Sequence, residues 1–288
     1  MVKSLPNTTS TTNNKNLNNE NTNIDEHIFS NNFNILKILY SCDENNVIVY
    51  LVEDKLTKIE YVIKKYYCES DNKNEIEDIL NESKIFSLLN ESTSHKNIIK
   101  CFNFWNEYNY ENGIEMFNHF IQIEKCKNEN IKKFCIGKDF QTKIKYAIKI
   151  TKALIYLSNK GIVHRDLKPA NILIDKYNEP KIIDFGISYY ENGRLIEKGT
   201  VPYQPEEQND SNKITNKIDI FSLGIIFLEM FCEFKTSASF AKAIYNLRDR
   251  KIIYQLPEKL ISLILNMTEK EINKRPNAFE VLENLKQI

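Results

Sequence analysis

Residues 161–175 read GIVHRDLKPANILID, and this stretch decides the interpretation of the chain. An apolar entry leads into a polar loop, and an apolar strand follows the loop. Five polar or charged side chains share the middle of the stretch: His164, Arg165, Asp166, Lys168 and Asn171. A second stretch, IIDFG at residues 182–186, follows at a short distance. A plain helix-to-strand connector has no use for five such groups at these offsets, so the sequence predicts a functional site here.

The order H-R-D-L-x-x-x-N and then D-F-G resembles the catalytic loop and the metal-binding motif of the eukaryotic protein kinase family. The resemblance covers residues 28–288. It implies an α+β fold with two lobes, a small antiparallel-sheet N-lobe with one helix and a larger, mainly helical C-lobe. We expect a disordered Asn-rich tail over residues 1–26, the N-lobe over 27–125 and the C-lobe over 126–288.

The resemblance implies the cofactors ATP and Mg²⁺ and a role for each polar group. Phosphoryl transfer needs in-line positioning, neutralised charge and a carboxylate at the attacking hydroxyl. Asp166 is the expected catalytic carboxylate, and Lys168 is expected to offset the charge of the transferred group. Asn171 and Asp184 are the expected magnesium ligands, since this ion prefers oxygen donors.

A third motif, YVIK at residues 61–64, resembles the kinase pattern V-A-I-K, whose lysine meets the ATP phosphates. Glu82, on a predicted helix over residues 74–89, is the expected ion-pair partner of Lys64. The backbone of residues 124–126 is the expected hinge that pairs with adenine. The expected cofactor-binding residues are Val49, Val62, Lys64, Glu82, Ile123, Glu124, Cys126 and Leu173.

The glycine-rich loop of the family is missing. Counting back from Lys64 puts its three glycine positions at Cys42, Glu44 and Val47, and counting forward from Phe33 puts them at Tyr40, Cys42 and Asn45. Neither count finds a glycine. Glycine lets backbone amides approach phosphates closely, so we expect weakened ATP binding.

The segment after Gly186 leads to GTVPYQPEEQ at residues 199–208, where Q-P-E stands in place of the usual A-P-E. Thr200 is the expected phosphorylation site, and its phosphate could pair with Arg165. An alternative role for Thr200 is to place the substrate through an unmodified hydroxyl near Asp166 and Lys168.

A finer resemblance points to the kinases of the alpha subunit of translation initiation factor 2. Five stretches carry it: YVIKKY (61–66), NIIKCFNFW (97–105), FIQIEKC (120–126), GTVPYQPEEQ (199–208) and NLRD (246–249). The resemblance implies a protein substrate, which would be that alpha subunit, docked on the helix near residues 239–249, and a role in translational control. Ile28 and Asn32 stand where that branch carries a dimerising Arg and Asp, so we expect no similar dimer and leave the oligomeric state open.

The composition bears on the other kinds of partner and site that the chain could have. Lys and Arg balance Asp and Glu at 39 each, so no global basic field attracts nucleic acid. The six cysteines form no CxxC pair, which indicates neither a disulfide framework nor a zinc site. No apolar run approaches the roughly 20 residues of a membrane span. We therefore expect no nucleic-acid or membrane partner and a cytoplasmic location.

Periodicity predicts the remaining elements. Strands are expected over residues 34–40, 47–52, 60–67, 97–105 and 116–124, with a polar loop over 106–113. Helices are expected over residues 143–160 and 217–231, near 239–249 and 257–267, and after Arg275. Asp219 is expected to bond the catalytic-loop backbone, and Arg275 to pair with Glu206 or Glu207.

Two functions compete on this sequence. The first is an active serine/threonine kinase, which the complete set of motif residues favours. The second is a pseudokinase or decoy that binds a kinase or its substrate without catalysis, which the absent glycine loop favours.

Overall fold

The computed structural model describes residues 28–90, 94–190, 193, 195–196, 199–210, 213–251 and 254–288. The expected tail over residues 1–26 lies outside this range. The described residues form two lobes, an antiparallel sheet with short helices and a larger helical part. This confirms the α+β, two-lobed architecture that the sequence predicted.

The N-lobe is built on one antiparallel sheet of five strands. These are β1 (Phe33–Cys42), β2 (Val47–Asp54), β3 (Glu60–Glu69), β4 (Cys101–Glu111) and β5 (Ile114–Glu124). Their order is β1-β2-β3-β5-β4. Paired residues lie on the same face of a sheet, so the pairing of Lys64 with Val49 and with Ile121 puts all three on one face. Residues of the other face, among them Val52 and Ile63, form a small core of their own.

The helix predicted over residues 74–89 appears as two segments, α2 (Lys73–Ile79) and α3 (Asn81–Asn90), and a short α1 (Ile28–Asn32) precedes the sheet. The Asn72 side chain caps α2. Leu80 separates the two segments but still accepts a 3.1 Å hydrogen bond from the amide of Lys84. Ile79 of the predicted apolar stripe packs with Cys68 and Phe117 of the sheet, and Glu82 is buried on α3.

The polar loop predicted over residues 106–113 is wrong. Residues 106–111 continue β4 and pair with β5, and only Asn112 and Gly113 form the turn. Both turn residues have positive φ, which Asn-Gly favours in a two-residue hairpin. No residue from 102 to 111 is fully buried, and Asn106, Glu107 and Asn109 make the second half of the strand polar. The signals in favour of a longer strand were the alternating aromatic residues, chiefly Tyr108 and Tyr110, and the Asn-Gly turn that follows them.

The C-lobe is a helical body with two short two-stranded sheets at its upper edge. Its helices are α4 (Ile131–Cys135), α5 (Phe140–Asn159), α6 (Lys217–Cys232), α7 (Ser237–Arg248), α8 (Glu258–Met267) and α9 (Ala278–Lys286). Its strands are β6 (Ile162–Val163), β7 (Ile172–Ile174), β8 (Pro180–Ile182) and β9 (Tyr189–Tyr190), paired β6 with β9 and β7 with β8. Helix α6 matches the helix predicted over residues 217–231 and is buried along most of its length.

Candidate functional site

The loop after β6 is fixed in place by a carboxylate from α6. The two oxygens of Asp219 accept hydrogen bonds from the backbone amides of His164 at 2.8 Å and Arg165 at 2.9 Å. Burial raises the pKa of Asp219, although His164, Arg165 and these two amides oppose that shift. The predicted partner of Asp219 is confirmed. Arg165 has a φ of 67°, a left-handed conformation that this anchoring stabilises.

Asp166 lies at the centre of the polar groups. Its Oδ1 accepts a 2.7 Å hydrogen bond from the Thr200 hydroxyl. Its Oδ2 accepts from Lys168 Nζ at 2.7 Å and from Asn171 Nδ2 at 2.9 Å. Asn171 also donates to the Asp166 carbonyl, which ties the side chain to its own loop. The structure thus brings together four residues that the sequence singled out.

The lysine of β3 makes two ion pairs, one within the N-lobe and one that reaches across to the C-lobe. Lys64 Nζ lies 2.9 Å from Glu82 Oε2 on α3 and 2.7 Å from Asp184 Oδ1. Burial alone would lower the pKa of Lys64, but the charges of Asp184 and Glu82 outweigh it and hold that pKa well above its ordinary value. The same contact works in reverse on Asp184, whose pKa lies below the ordinary value because Lys64 outweighs the cost of desolvation. The predicted Lys64–Glu82 pair is present.

Glu82 holds more than its lysine. Its Oε1 accepts a 3.0 Å hydrogen bond from the Phe185 amide, and its Oε2 accepts from the Tyr66 hydroxyl at 2.8 Å. The ring of Phe185 is fully buried between the rings of Phe86 and His164. The D-F-G segment is therefore locked against both α3 and the catalytic loop.

Sequence reasoning missed a second anchor on α3. The Asn81 side chain is buried and donates to the carbonyls of Gly186 at 3.1 Å and Ser188 at 2.9 Å. The sequence offered one signal for this contact, a polar residue beside Glu82 on an otherwise apolar helix face. Asparagines are so abundant in this chain that Asn81 did not stand out from the others.

The predicted metal ligands offer oxygen donors only. Asp184 supplies a carboxylate and Asn171 an amide oxygen, and Asp184 has a φ of 67° that turns it out of the preceding strand. Within the described residues, no three His, Cys, Asp or Glu side chains cluster as a metal cage. Two protein oxygens, supplemented by phosphates and waters, are the arrangement that suits Mg²⁺. The donor set therefore fits the ion.

Of the other expected cofactor-binding residues, Val62 and Ile123 lie on the same face of the sheet as Lys64, and Leu173 lies on β7. Val62 pairs with Ile123 across the sheet, and both are half-buried. Leu173 is the half-buried member of β7, whose other two residues point into the core. The β3–β5 pairing ends at Glu124, so the backbone as far as Cys126 leaves the sheet where the hinge was expected. The Glu124 carboxylate itself accepts from Lys181 Nζ at 2.7 Å.

The turn between β1 and β2 replaces the glycine-rich loop. It consists of a short 3₁₀ turn, Asp43–Asn45, followed by Asn46 with a φ of 48°. Asparagine tolerates this left-handed conformation better than most residues, so the hairpin closes without glycine. The Asn46 side chain donates to Glu75 Oε1 at 2.8 Å, which ties the turn to α2.

Arg165 does not face solvent as the phosphate-pairing hypothesis requires. Its side chain is 1% exposed. Its guanidinium donates to the backbone carbonyls of Ile187, Ile196 and Gln208 at 2.9–3.3 Å. The guanidinium therefore holds the segment after D-F-G in place by direct hydrogen bonds. Phosphorylation of Thr200 stays a prediction, and the contacts of its hydroxyl match the alternative, substrate-placing role.

The end of this segment is anchored by a second buried arginine. Arg275 makes a two-pronged ion pair with Glu207, one arm of which, Nη2 to Oε2, measures 3.2 Å. Of the two partners predicted for Arg275, the structure selects Glu207.

Comparison with known proteins matches residues 45–285 to the family described as protein kinase domain. A probable serine/threonine-protein kinase, kinX, of Dictyostelium discoideum is 35% identical over 49% of this chain and 14% of its own length. Eukaryotic translation initiation factor 2-alpha kinase 3 of Bos taurus is 27% identical over 57% of this chain and 17% of its own length. Receptor protein-tyrosine kinase CEPR1 of Arabidopsis thaliana is 28% identical over 69% of this chain and 22% of its own length. The chain thus spans less than a quarter of the length of each of these relatives.

Proposed function

This chain belongs to the protein kinase family, and from that premise we propose that it transfers the γ-phosphoryl group of ATP to a serine or threonine hydroxyl of a protein. The observation that carries the proposal is the contact set of Asp166, in which Lys168, Asn171 and Thr200 all bond one carboxylate. A carboxylate held in this way can accept the proton of an attacking hydroxyl.

Each part of the phosphoryl transfer can be assigned to a side chain of this site. The Asp166 carboxylate orients the substrate hydroxyl and takes up its proton as the oxygen attacks. Lys168, 2.7 Å from that carboxylate, offsets charge on the phosphoryl group in transit. Lys64, held by Glu82, contacts the phosphates of ATP. Bound Mg²⁺, held by Asn171 and Asp184, would neutralise phosphate charge.

Serine or threonine is proposed over tyrosine because of the bridge between Lys168 and Thr200. The Lys168 Nζ lies 2.9 Å from the Thr200 hydroxyl, so the two side chains close one side of the space in front of Asp166. This restricted space suits a small aliphatic hydroxyl better than the bulky ring of tyrosine. The 35% identity with the Dictyostelium serine/threonine kinase supports the same choice.

The competing function is a pseudokinase or decoy, and the glycine-free turn is the observation that favours it. Purified protein, Mg²⁺ and radiolabelled ATP with a generic serine/threonine substrate separate the two functions. We expect incorporation of label that the Asp166→Asn variant lacks. Label equal to that of the variant, at any ATP concentration, would leave only the binding function.

For the substrate we propose the alpha subunit of translation initiation factor 2. The similarity to initiation factor 2-alpha kinase 3 supports it, as does α7, which presents exposed Lys242, Tyr245 and Arg248 on one side. Beside this helix lies a cavity of about 600 Å³ bounded by Pro202, Leu247 and Arg248 among others, which gives the docking surface a concave side. The cytoplasmic location expected from the sequence belongs to the same proposal.

A further inference from the structure

A second concave site lies away from the catalytic groups, on the back of the C-lobe. It is a cavity of about 310 Å³ between the first half of α5 and the loop that precedes β4, and we call it the lysine cavity. Its lining residues are His95, Lys96, Asn97, Lys145, Tyr146, Ile148, Lys149 and Lys152. None of them belongs to the catalytic site described above.

The cavity concentrates positive charge in a chain whose net charge is zero. Lys145, Lys149 and Lys152 stand four and three residues apart on α5, so they share one helix face and repel one another. Lys96 faces them from the loop. Such repulsion lowers stability unless an anion offsets it.

A single carboxylate partly offsets the positive charge of these lysines. Glu179 lies 3.0 Å from Lys149 Nζ and 3.8 Å from Lys96 Nζ. Within the described part of the chain, Lys145 and Lys152 make no ion pair. The pKa of His95 is lowered by burial and then by Lys96 and Lys152, so the ring adds no charge but can donate or accept a hydrogen bond. The cavity keeps an excess of about three positive charges.

The spacing of the lysines selects the kind of anion. With a rise of about 1.5 Å per residue, Lys145 and Lys152 are roughly 10 Å apart along the helix. Both side chains could converge on one phosphate only by bringing their like charges together, so a compact molecule with several phosphates suits this spacing better. A volume near 310 Å³ suits a small molecule more than a folded partner.

We propose that the lysine cavity binds a small, multiply phosphorylated molecule of the inositol-phosphate class, with Lys145 and Lys152 as its principal contacts. The shared chemistry is a ring that carries several phosphates, whether free in solution or as a phosphoinositide headgroup. The proposal does not depend on the kinase reaction.

The test is calorimetry of the full chain with myo-inositol 1,3,4,5-tetrakisphosphate at low salt without Mg²⁺. The Lys145→Gln/Lys152→Gln variant removes two charges from the cavity. The Lys73→Gln/Lys84→Gln variant removes two from exposed sites on α2 and α3 and serves as the matched control. We expect binding that weakens roughly tenfold or more in the first variant, since each charged hydrogen bond is worth about one factor of ten. The control should bind like wild type, and all three proteins should phosphorylate a generic substrate equally.

No binding by wild type, or an equal loss in both variants, would overturn the proposal. Tighter binding of a polyglutamate peptide or a short RNA than of the tetrakisphosphate would also overturn it, because the site would then serve a different class of partner. Vesicles of phosphatidylcholine with and without phosphatidylinositol bisphosphate distinguish the source. Binding to the bisphosphate vesicles supports a headgroup, and binding of the soluble probe alone supports a free ligand.

Discussion

The Thr200 hydroxyl donates a 2.7 Å hydrogen bond to Asp166 Oδ1, and this contact joins the segment after D-F-G to the catalytic loop. Lys168 Nζ closes the set, since it lies 2.9 Å from the same hydroxyl and 2.7 Å from Asp166 Oδ2. The carboxylate is thereby held in one orientation before any substrate arrives. Preorganisation of this kind lowers the cost of reaching the transition state.

The first prediction concerns the hydroxyl itself. Thr200→Ser keeps the bond to Asp166 and should retain most activity, whereas Thr200→Ala should lower kcat roughly tenfold to a hundredfold, the value of one charged hydrogen bond. Steady-state kinetics with a generic serine/threonine peptide measures both. Mass spectrometry of the active protein shows in parallel whether Thr200 is phosphorylated. Full activity of the alanine variant would mean that Thr200 neither positions Asp166 nor needs a phosphate.

The second prediction concerns the carboxylate. Asp166→Asn should lower turnover by roughly 10²- to 10⁴-fold, because an amide cannot take up the proton of the attacking hydroxyl. Its melting temperature should stay near the wild-type value, since the amide oxygen can accept from Lys168 and Asn171 while the amide NH₂ donates to the Thr200 hydroxyl oxygen. Turnover at the wild-type rate would rule out Asp166 as the proton acceptor.

Much of this site could be predicted because short-range motifs encode it. The offsets within 164–171 and 182–186 place Asp166, Asn171 and Asp184, and a strand lysine with a helical glutamate gives the ion pair. The sequence did not reveal the contacts that depend on the packing of distant segments. The bonds of Asn81 to the carbonyl of Gly186, 105 residues on, and of Arg165 to three carbonyls leave no trace in spacing or composition. The strand over residues 106–111 was missed for a different reason, because its polar residues suggested a loop although Tyr108 and Tyr110 alternate and an Asn-Gly hairpin turn follows.

A third prediction concerns the thiol of Cys42, at the end of β1. Hydrogen bonds with the Tyr40 side chain and with the backbone and side chain of Asn45 lower the pKa of Cys42, and the Asn45 contact to Sγ measures 3.3 Å. Burial raises the pKa of Cys68 and Cys135 to about 11. It raises the pKa of Cys101, Cys126 and Cys232 to about 12.

The thiolate is the reactive form, so alkylation speeds up as pH rises through the pKa. Because the pKa of Cys42 lies below that of an ordinary cysteine, its labelling by iodoacetamide should rise at lower pH than that of a free thiol. Peptide mapping of the folded protein at pH 7 should find Cys42 labelled first, and Cys42→Ser should remove the fast phase. If ADP slows the labelling and adenosine does not, the turn lies over the phosphates. Faster labelling of any of the five other cysteines would contradict the prediction.

A fourth prediction concerns nucleotide affinity. The turn that replaces the glycine-rich loop carries Cβ atoms at every position, so it cannot bring its amides as close to phosphates as glycine would. Loss of one or two charged hydrogen bonds, at about 1.5–3 kcal/mol each, should weaken ATP binding by tens to hundreds of fold relative to a glycine-containing kinase. Adenosine makes no phosphate contact and should be little affected.

Calorimetry of ATP and adenosine can compare wild type with Cys42→Gly/Glu44→Gly. Val47 is left in place because its side chain is buried, and its removal would open a gap in the sheet. We expect the variant to bind ATP more tightly and adenosine unchanged. An equal change for both ligands would mean that the turn acts on the fold and not on the phosphates.

The last prediction tests the substrate through α7. Lys242, Tyr245 and Arg248 follow one another at three-residue spacing and are exposed, and 69% of the Tyr245 surface is accessible. They lie on the side of the helix opposite to Ala243 and Leu247, which are buried in the lobe. Substitution of Tyr245 and Arg248 by alanine therefore removes surface contacts while the packing of the helix stays intact.

In protein–protein interfaces, Tyr and Arg are the side chains whose loss costs most binding free energy, often 2 kcal/mol or more. We expect Tyr245→Ala/Arg248→Ala to reduce kcat/KM for the alpha subunit of initiation factor 2 roughly thirtyfold or more. A short serine peptide should be phosphorylated at the wild-type rate, because it reaches Asp166 without touching α7.

Lys259→Ala/Lys286→Ala, on the distant helices α8 and α9, is the matched control and should leave the phosphorylation of both substrates unchanged. Equal losses on the protein and the peptide would show that the substitutions disturb the catalytic site and would remove the docking role of α7. Phosphorylation of the peptide with none of the alpha subunit, by wild type itself, would retain the kinase and discard this substrate.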